Sequence, residues 1–154
     1  MQKNKKLIIL LIIGLFVGAV IFIFASRKQN LSLVQDRQVI NWQINKQKLR
    51  VEVVKTPESI AQGLGRRPSL EKADGMLFVF AEPVNPVFWM KDMRFAIDLY
   101  WIREGKIIGV ERNLQPPLDL NDQEDLPKYY SPGLVDMVLE IPVSKNLQLF
   151  DINQ

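Results

Sequence analysis

At 154 residues the chain has room for one domain, and its lack of histidine and cysteine excludes disulfides, thiolate nucleophiles, histidine bases and the usual transition-metal sites. The sequence therefore predicts no metal and no cofactor. The formal charge of +3 includes five cations in the first 28 residues, so fifteen Lys and Arg remain against seventeen Asp and Glu, a net charge near −2 that argues against a nucleic-acid partner.

An apolar run without charges, Leu7–Ala25, predicts a single transmembrane helix after a charged tail at residues 1–6. No A-x-A site follows it and it is longer than a signal-peptide core, which favours an uncleaved signal anchor. Lys3, Lys5 and Lys6 favour an N-terminus inside and a C-terminal domain that is extracytoplasmic. The sequence thus predicts a single-pass membrane protein with a linker at 26–37 and a β domain at 38–154.

The first part of this domain reads as a β-hairpin followed by a short helix. Residues 38–44 and 47–54 alternate in polarity on either side of Asn45-Lys46, which is typical of a tight turn between two strands. Thr56-Pro57-Glu58 then predicts a helix start, with Thr56 as N-cap, and Gly63 predicts its end.

The remaining elements are predicted to be strands. Residues 75–80 (GMLFVF) are apolar throughout and predict a central strand. Residues 87–93 and 96–102 are predicted to be two strands or one bent strand, and a hairpin turn at 103–106 leads into 107–112. Residues 113–130 read as a long loop, and 135–141 as a last strand. Without a βαβ rhythm, this order predicts a mainly β fold, a small antiparallel β sandwich or open barrel with one short helix.

Several segments in register resemble a known family. The run "QGLGRRPSL....GMLFVF.......FWMKDM...IDLYWI" resembles the bacterial and archaeal family called domain of unknown function 192. The resemblance implies a small β sandwich and no established activity. It places Arg67 on the family's arginine, Phe88 to Lys91 on its FWMK, and Asp98 on its aspartate. Gly65 departs from the family pattern by standing where methionine is usual.

Four residues are candidates for a ligand site. Trp89, Lys91, Asp98 and Arg67 could converge in one cleft, where an aromatic wall, a cation and a carboxylate suit an anionic or sugar-like ligand. Alternate residues of a strand share a face, which groups Trp89 with Lys91 and Met93. In the structural alternative, Arg67 and Asp98 form an ion pair and Lys91 lies along Trp89.

Three function hypotheses follow. The first is a membrane-anchored module that binds a small or polymeric envelope ligand through Trp89, Lys91, Asp98 and Arg67. The second is a hydrolase or lyase on envelope material, with Asp98 and Lys91 as acid and base. The third is a structural or assembly module, because the family normally continues past the VLE strand at residues 138–140 to another strand, and its lack would expose a sheet edge.

Overall fold

The computed structural model describes residues 31–120, 125–147 and 149, and it is mainly β. The chain divides into two compact units, with the boundary between Val34 and Gln35; of the first, only residues 31–34 are described. The predicted membrane helix at 7–25 and the tail at 1–6 lie outside the described residues. Among those described, no helix has the length and apolar character needed to cross a membrane.

Eight strands, one α-helix and one 3₁₀ turn make up the described part of the second unit. They are β1 Val39–Ile44, β2 Gln47–Val54, α1 Pro57–Gln62, β3 Gly75–Val84, β4 Val87–Trp89, β5 Ile97–Arg103, β6 Lys106–Leu114, β7 Lys128–Tyr130, β8 Val135–Pro142 and η1 Val143–Lys145.

The predicted hairpin and helix are confirmed, and local chemistry explains both. Asn45 and Lys46 have φ values of 46° and 66°, as the two central residues of a tight hairpin turn require. Thr56 caps α1 by accepting a hydrogen bond from the Ser59 amide at 3.2 Å. Gly63 ends the helix at φ 50°, a conformation that glycine adopts without strain.

Six strands form one sheet in the order β1-β2-β3-β8-β5-β6. The predicted central strand is confirmed, because β3 lies between β2 and β8. The prediction of an antiparallel fold is wrong at one pair: β2 and β3 run parallel, with Val51 opposite Gly75. The reason is that α1 and the segment after it carry the chain back to the starting end of β2, which makes a β2-α1-β3 crossover.

Strands β4 and β7 form a separate two-stranded ribbon, and the predicted strand at 87–93 is wrong beyond Trp89. The Met93 amide donates to the Met90 carbonyl at 3.2 Å, and Asp92 has φ 58°, so residues 90–93 make a turn. Met93 is consequently buried in the core and does not share the outward face of Trp89. The ribbon's other strand, β7, lies within the stretch predicted to be loop.

The main hydrophobic cluster lies on one face of the six-stranded sheet, here called the covered face. Strand β5 contributes Ile97, Leu99 and Trp101 to this face, and β3 contributes Met76 and Phe78. The segment that follows α1 and the turn at 90–93 cover the face, and their buried members are Leu64, Leu70, Ala73, Met90 and Met93. The ribbon is held against the same cluster, since the ring of Phe88 packs edge-on against Phe78.

Candidate functional site

The two segments that carry the resemblance meet in space. The amide of Arg66 donates to the Asp92 carbonyl at 2.8 Å, and the Arg66 guanidinium lies 3.1 Å from the Asp92 carboxylate. Gly65 is buried at this junction, where a Cβ would lie 3.5 Å from the Lys91 carbonyl oxygen and 3.0 Å from that of Gln62. The small residue lets the segment after α1 approach the turn at 90–93 closely.

Trp89 and Lys91 lie side by side at the surface. The Lys91 ammonium is 5.2 Å from the centre of the Trp89 ring, within the range of a cation–π interaction. About half of Trp89 is exposed, at 49%. A tryptophan ring usually buries most of its surface, so Trp89 is unusually exposed for its residue type.

The outer face of the ribbon extends this surface. Trp89 pairs with Lys128 and Val87 pairs with Tyr130, and directly opposed residues of an antiparallel pair point to the same side. Val87 and Tyr130 are 51% and 64% exposed. We call the set Val87, Trp89, Lys91, Lys128 and Tyr130 the ribbon surface. It contains two exposed aromatic rings and two cations, and no acidic residue.

Sequence reasoning missed Lys128 and Tyr130 because β7 is short and lies in a stretch rich in Pro, Asp and Asn. A signal was present in the alternation of Lys128, Tyr129 and Tyr130. Tyr129 packs against the core while its two neighbours are exposed, which is the period of a strand with one buried face.

Arg67 does not take part in the ribbon surface, because its guanidinium is bonded to Glu52 of β2. Its guanidinium donates to both carboxylate oxygens of Glu52 at 2.7 Å, and Arg37 approaches the same carboxylate at 3.5 Å. The hydrogen bond to Glu52 raises the pKa of Arg67 above its ordinary value, so the guanidinium stays charged. Arg67 thus fastens the segment after α1 to the sheet.

Asp98 lies on the opposite face of the sheet from the ribbon. The ring of Trp101 packs edge-on against the ribbon residue Phe88, with the ring centres 5.6 Å apart. Asp98 lies three residues before Trp101 in β5, so the two side chains point to opposite faces of the sheet. Its carboxylate accepts hydrogen bonds at 2.8 Å from the Arg112 guanidinium and from the Asn113 amide. The alternative in which Arg67 and Asp98 pair with each other is therefore wrong. Of the four predicted residues, the structure brings Trp89 and Lys91 into contact.

A further polar cluster surrounds Asp98. Arg112 also donates to the Tyr100 hydroxyl at 2.8 Å and to the Leu149 carbonyl at 3.2 Å, while the Leu149 amide donates to the same hydroxyl at 3.3 Å. Burial raises the pKa of Tyr100, with the hydrogen bonds from Leu149 and Arg112 opposing it. The hydroxyl remains protonated at neutral pH, and the cluster fixes Leu149 beside β5.

Glu140 is a buried acid that sequence reasoning did not single out. It lies on the covered face of β8, between Met76 of β3 and Leu99 of β5. Among the described residues its side-chain oxygen Oε2 has no hydrogen-bond partner, and burial raises the pKa of Glu140 to about 8. The signal was a glutamate within the apolar run of residues 137–141, where a solvated acid is not expected.

Comparisons with known proteins identify a family and a fold. The model of the family DUF192, described as an uncharacterized ACR, matches residues 40–148. A crystal structure from Sinorhizobium meliloti, described as that of a candidate transcription regulator, is 28% identical with a TM-score of 0.54; the match covers 70% of this chain and 78% of that one. A protein of unknown function from Novosphingobium aromaticivorans is 18% identical with a TM-score of 0.54, and the match covers 72% and 88%. No curated protein matches the chain.

Proposed function

We propose a function from the premise that the chain belongs to the DUF192 family: it is a membrane-anchored extracytoplasmic module that binds an anionic envelope ligand through Trp89 and Lys91. The observation that carries the proposal is the exposed Trp89 ring with the Lys91 ammonium 5.2 Å from its centre. An aromatic face and an adjacent cation together suit a sugar ring that bears a carboxylate or phosphate.

The environment of Lys91 supports this proposal. Within the described residues no carboxylate lies within salt-bridge distance of Lys91, whereas Arg66, Arg67 and Arg112 each have one. A bound anion would supply the missing charge partner without breaking an existing ion pair. Arg67 and Asp98 then act as supports of the fold around the site, and the ligand contacts fall to Trp89 and Lys91.

The envelope location rests on the sequence. The apolar run at 7–25 is long enough to span a bilayer, and the lysines before it favour a domain outside the cytoplasm. We also propose that the fold is a β sandwich, with the ribbon as its second layer, because the inner side of the ribbon packs on the covered face of the sheet. An aromatic and cationic surface outside the membrane suits an acidic glycan.

One alternative is a DNA-binding role, because the similar structure from Sinorhizobium meliloti is described as that of a candidate transcription regulator. The charge balance does not favour it, because the chain after residue 28 carries seventeen acids against fifteen cations. Duplex binding rests on a clustered set of Lys and Arg that neutralise several phosphates.

The enzyme hypothesis has less support than binding. An acid–base pair of Asp98 and Lys91 needs both groups at one substrate, yet Asp98 lies on the opposite face from the ribbon and is already bonded to Arg112. In the assembly hypothesis, a strand of a partner would pair with β1 or β6, the two edge strands of the described sheet.

The proposal is tested by binding of the full-length protein, held in detergent micelles, to polygalacturonate, with uncharged dextran as the comparison polymer. Trp89→Ala and Lys91→Ala should each weaken binding to polygalacturonate by about tenfold, the equivalent of about 1.4 kcal/mol. Lys106→Ala removes an exposed lysine from the β5-β6 turn and should leave the affinity unchanged. Equal affinity for dextran, or unchanged binding in both site variants, would overturn the proposal.

A further inference from the structure

The ribbon surface holds a second aromatic ring, from Tyr130, at a defined place relative to Trp89. Trp89 pairs with Lys128, so Tyr130 occupies the diagonal position two residues further along β7. Diagonal neighbours across an antiparallel pair lie about 7–8 Å apart, and both point to the same side. The two exposed rings therefore form a short track across the ribbon.

We infer that this surface binds an acidic glycan chain of at least two consecutive sugar units, one on Trp89 and the next on Tyr130. The inference rests on the proposed function and names the ligand class more narrowly. A single sugar ring is too small to cover both aromatic side chains at this spacing. A chain that runs along the diagonal covers both.

The cations lie where consecutive acidic sugars would place their carboxylates. Lys91 lies beside Trp89, and Lys128 is directly opposite Trp89 and adjacent to Tyr130 along its own face. Within the described residues, no carboxylate is within salt-bridge distance of either lysine; the ion pairs found there join other residues. Two cations and two rings therefore match a polymer with one ring and one negative charge in each unit.

The inner side of the ribbon holds this track in place before a ligand arrives. Phe88 packs edge-on against Phe78 and Trp101, with ring centres 5.0 and 5.6 Å apart, and Tyr129 packs against the same cluster. The residues that carry the track alternate with these anchors along both strands. Little ordering of the backbone is needed on binding, which favours recognition of an extended chain.

A single-stranded nucleic acid also stacks on aromatic rings, but the observations favour the glycan. Proteins that bind single strands add a positive groove that follows the phosphates. Here the exposed face offers two lysines, and the chain after residue 28 has a net charge near −2. The nucleic acid is therefore an outcome of the test and not the expected ligand.

The test uses the full-length protein in micelles and galacturonic acid oligomers of one, two, four and eight units. In the unaltered protein, the affinity should rise by about tenfold between one and four units. Tyr130→Ala should abolish this gain while leaving the affinity for the monomer unchanged, and Tyr130→Phe should preserve the gain because it keeps the ring. Lys128→Ala should reduce the gain, while Lys106→Ala should not.

The outcomes separate the two proposals. The inference about two units is overturned if affinity does not rise with chain length, or if Tyr130→Ala leaves that rise unchanged. In either case the proposed function stands as long as Trp89→Ala weakens binding to the polymer. If neither Trp89→Ala nor Lys91→Ala weakens binding, or no oligomer binds, both are overturned. Tighter binding of oligothymidylate than of the octamer would assign the track to nucleic acid and overturn the inference.

Discussion

At the scale of single residues, Glu140 couples the core to pH. The carboxyl is buried, and its Oε2 finds no hydrogen-bond partner in the part of the chain that the structure describes, so ionisation would leave a charge without compensation. The pKa of about 8 means that the group is largely neutral at pH 7. Glu52 lies in the same row of the sheet, and its carboxylate is paired with Arg67 and Arg37. The two glutamates thus differ in their partners, because Glu52 has two arginines and Oε2 of Glu140 has no hydrogen-bond partner among the described residues.

Replacing Glu140 tests this difference. The native pKa of about 8 exceeds the ordinary value of 4.5, so the native state holds more protons between these pH values. The contribution of Glu140 to stability is therefore fully present below about pH 4.5 and is lost as the pH rises towards 8, by up to about 1.4 kcal/mol per pH unit. Glu140→Gln should remove this part of the pH dependence, as urea unfolding at pH 5, 6, 7 and 8 would show.

The exposed Glu82 supplies the control, since Glu82→Gln changes a carboxylate that is in contact with water. It should leave the decline in stability with pH as in the unaltered protein. The interpretation of Glu140 fails if the Glu140→Gln protein shows the same decline as the Glu82→Gln protein.

At the scale of elements, the segment after α1 is fastened by ion pairs of different burial. The side chains of Arg67 and Glu52 are 24% and 12% exposed and share two hydrogen bonds, whereas Arg66 is 80% exposed in its pair with Asp92. Paired charges with little solvent around them are costly to separate, because the remaining charge stays desolvated. The Arg67 pair therefore bears on the stability of the crossover, and the Arg66 pair bears little on it.

Arg67→Ala should lower the free energy of unfolding by about 2 kcal/mol, because Glu52 would keep only the longer contact to Arg37. Arg66→Ala, the matched control one residue earlier, should cost less than about 1 kcal/mol. Chemical denaturation of both variants gives the comparison. Equal losses would contradict the assignment of Arg67 as the fastening residue, and a Glu52→Gln background should shrink the Arg67 effect if the two act as a pair.

Local chemistry decided which elements the sequence could predict. The turn at Asn45 and the cap at Thr56 depend on neighbouring residues, and both predictions are confirmed. The end of β4 could not be predicted from period two, because the turn needs a positive φ at Asp92, which is not a glycine. The parallel pairing of β2 with β3 depends on how α1 packs, which is a tertiary effect.

The candidate site follows the same division. Trp89 and Lys91 are two residues apart, so their contact depends on local structure. The structure places them together, although through a turn and not a strand. The partners of Arg67 and Asp98 lie 15 and 14 residues away along the chain, on other elements. Alternation within a strand shows which residues share a face, but it does not show which element covers that face.

At the scale of the whole molecule, the proposed location can be tested because the chain contains no cysteine. A single introduced thiol reports the side of the membrane on which it lies. Ser69→Cys places the thiol on an exposed residue after α1, and a membrane-impermeant maleimide should label it in intact cells whose outer barriers admit the reagent. Asn4→Cys, in the N-terminal tail, should be labelled only after lysis.

The opposite pattern of labelling would place the domain inside the cell and remove the envelope from the proposed function. A chain without residues 2–28 should separate from membranes on centrifugation, whereas the full chain should sediment with them. Sedimentation of the shortened chain with membranes would contradict the anchor at 7–25.

The position of β8 in the sheet sets the order in which the protein can assemble. This strand is the last of the eight, yet it lies between β3 and β5, and it joins Met76 to a partner 64 residues later in sequence. Until residue 142 has been synthesised, the sheet consists of two separate parts, β1-β2-β3 and β5-β6, with no strand between them. Contacts so distant in sequence form slowly, and a nascent chain without β8 cannot complete the sheet. A late central strand would thus delay closure of the six-stranded sheet until β8 has been synthesised.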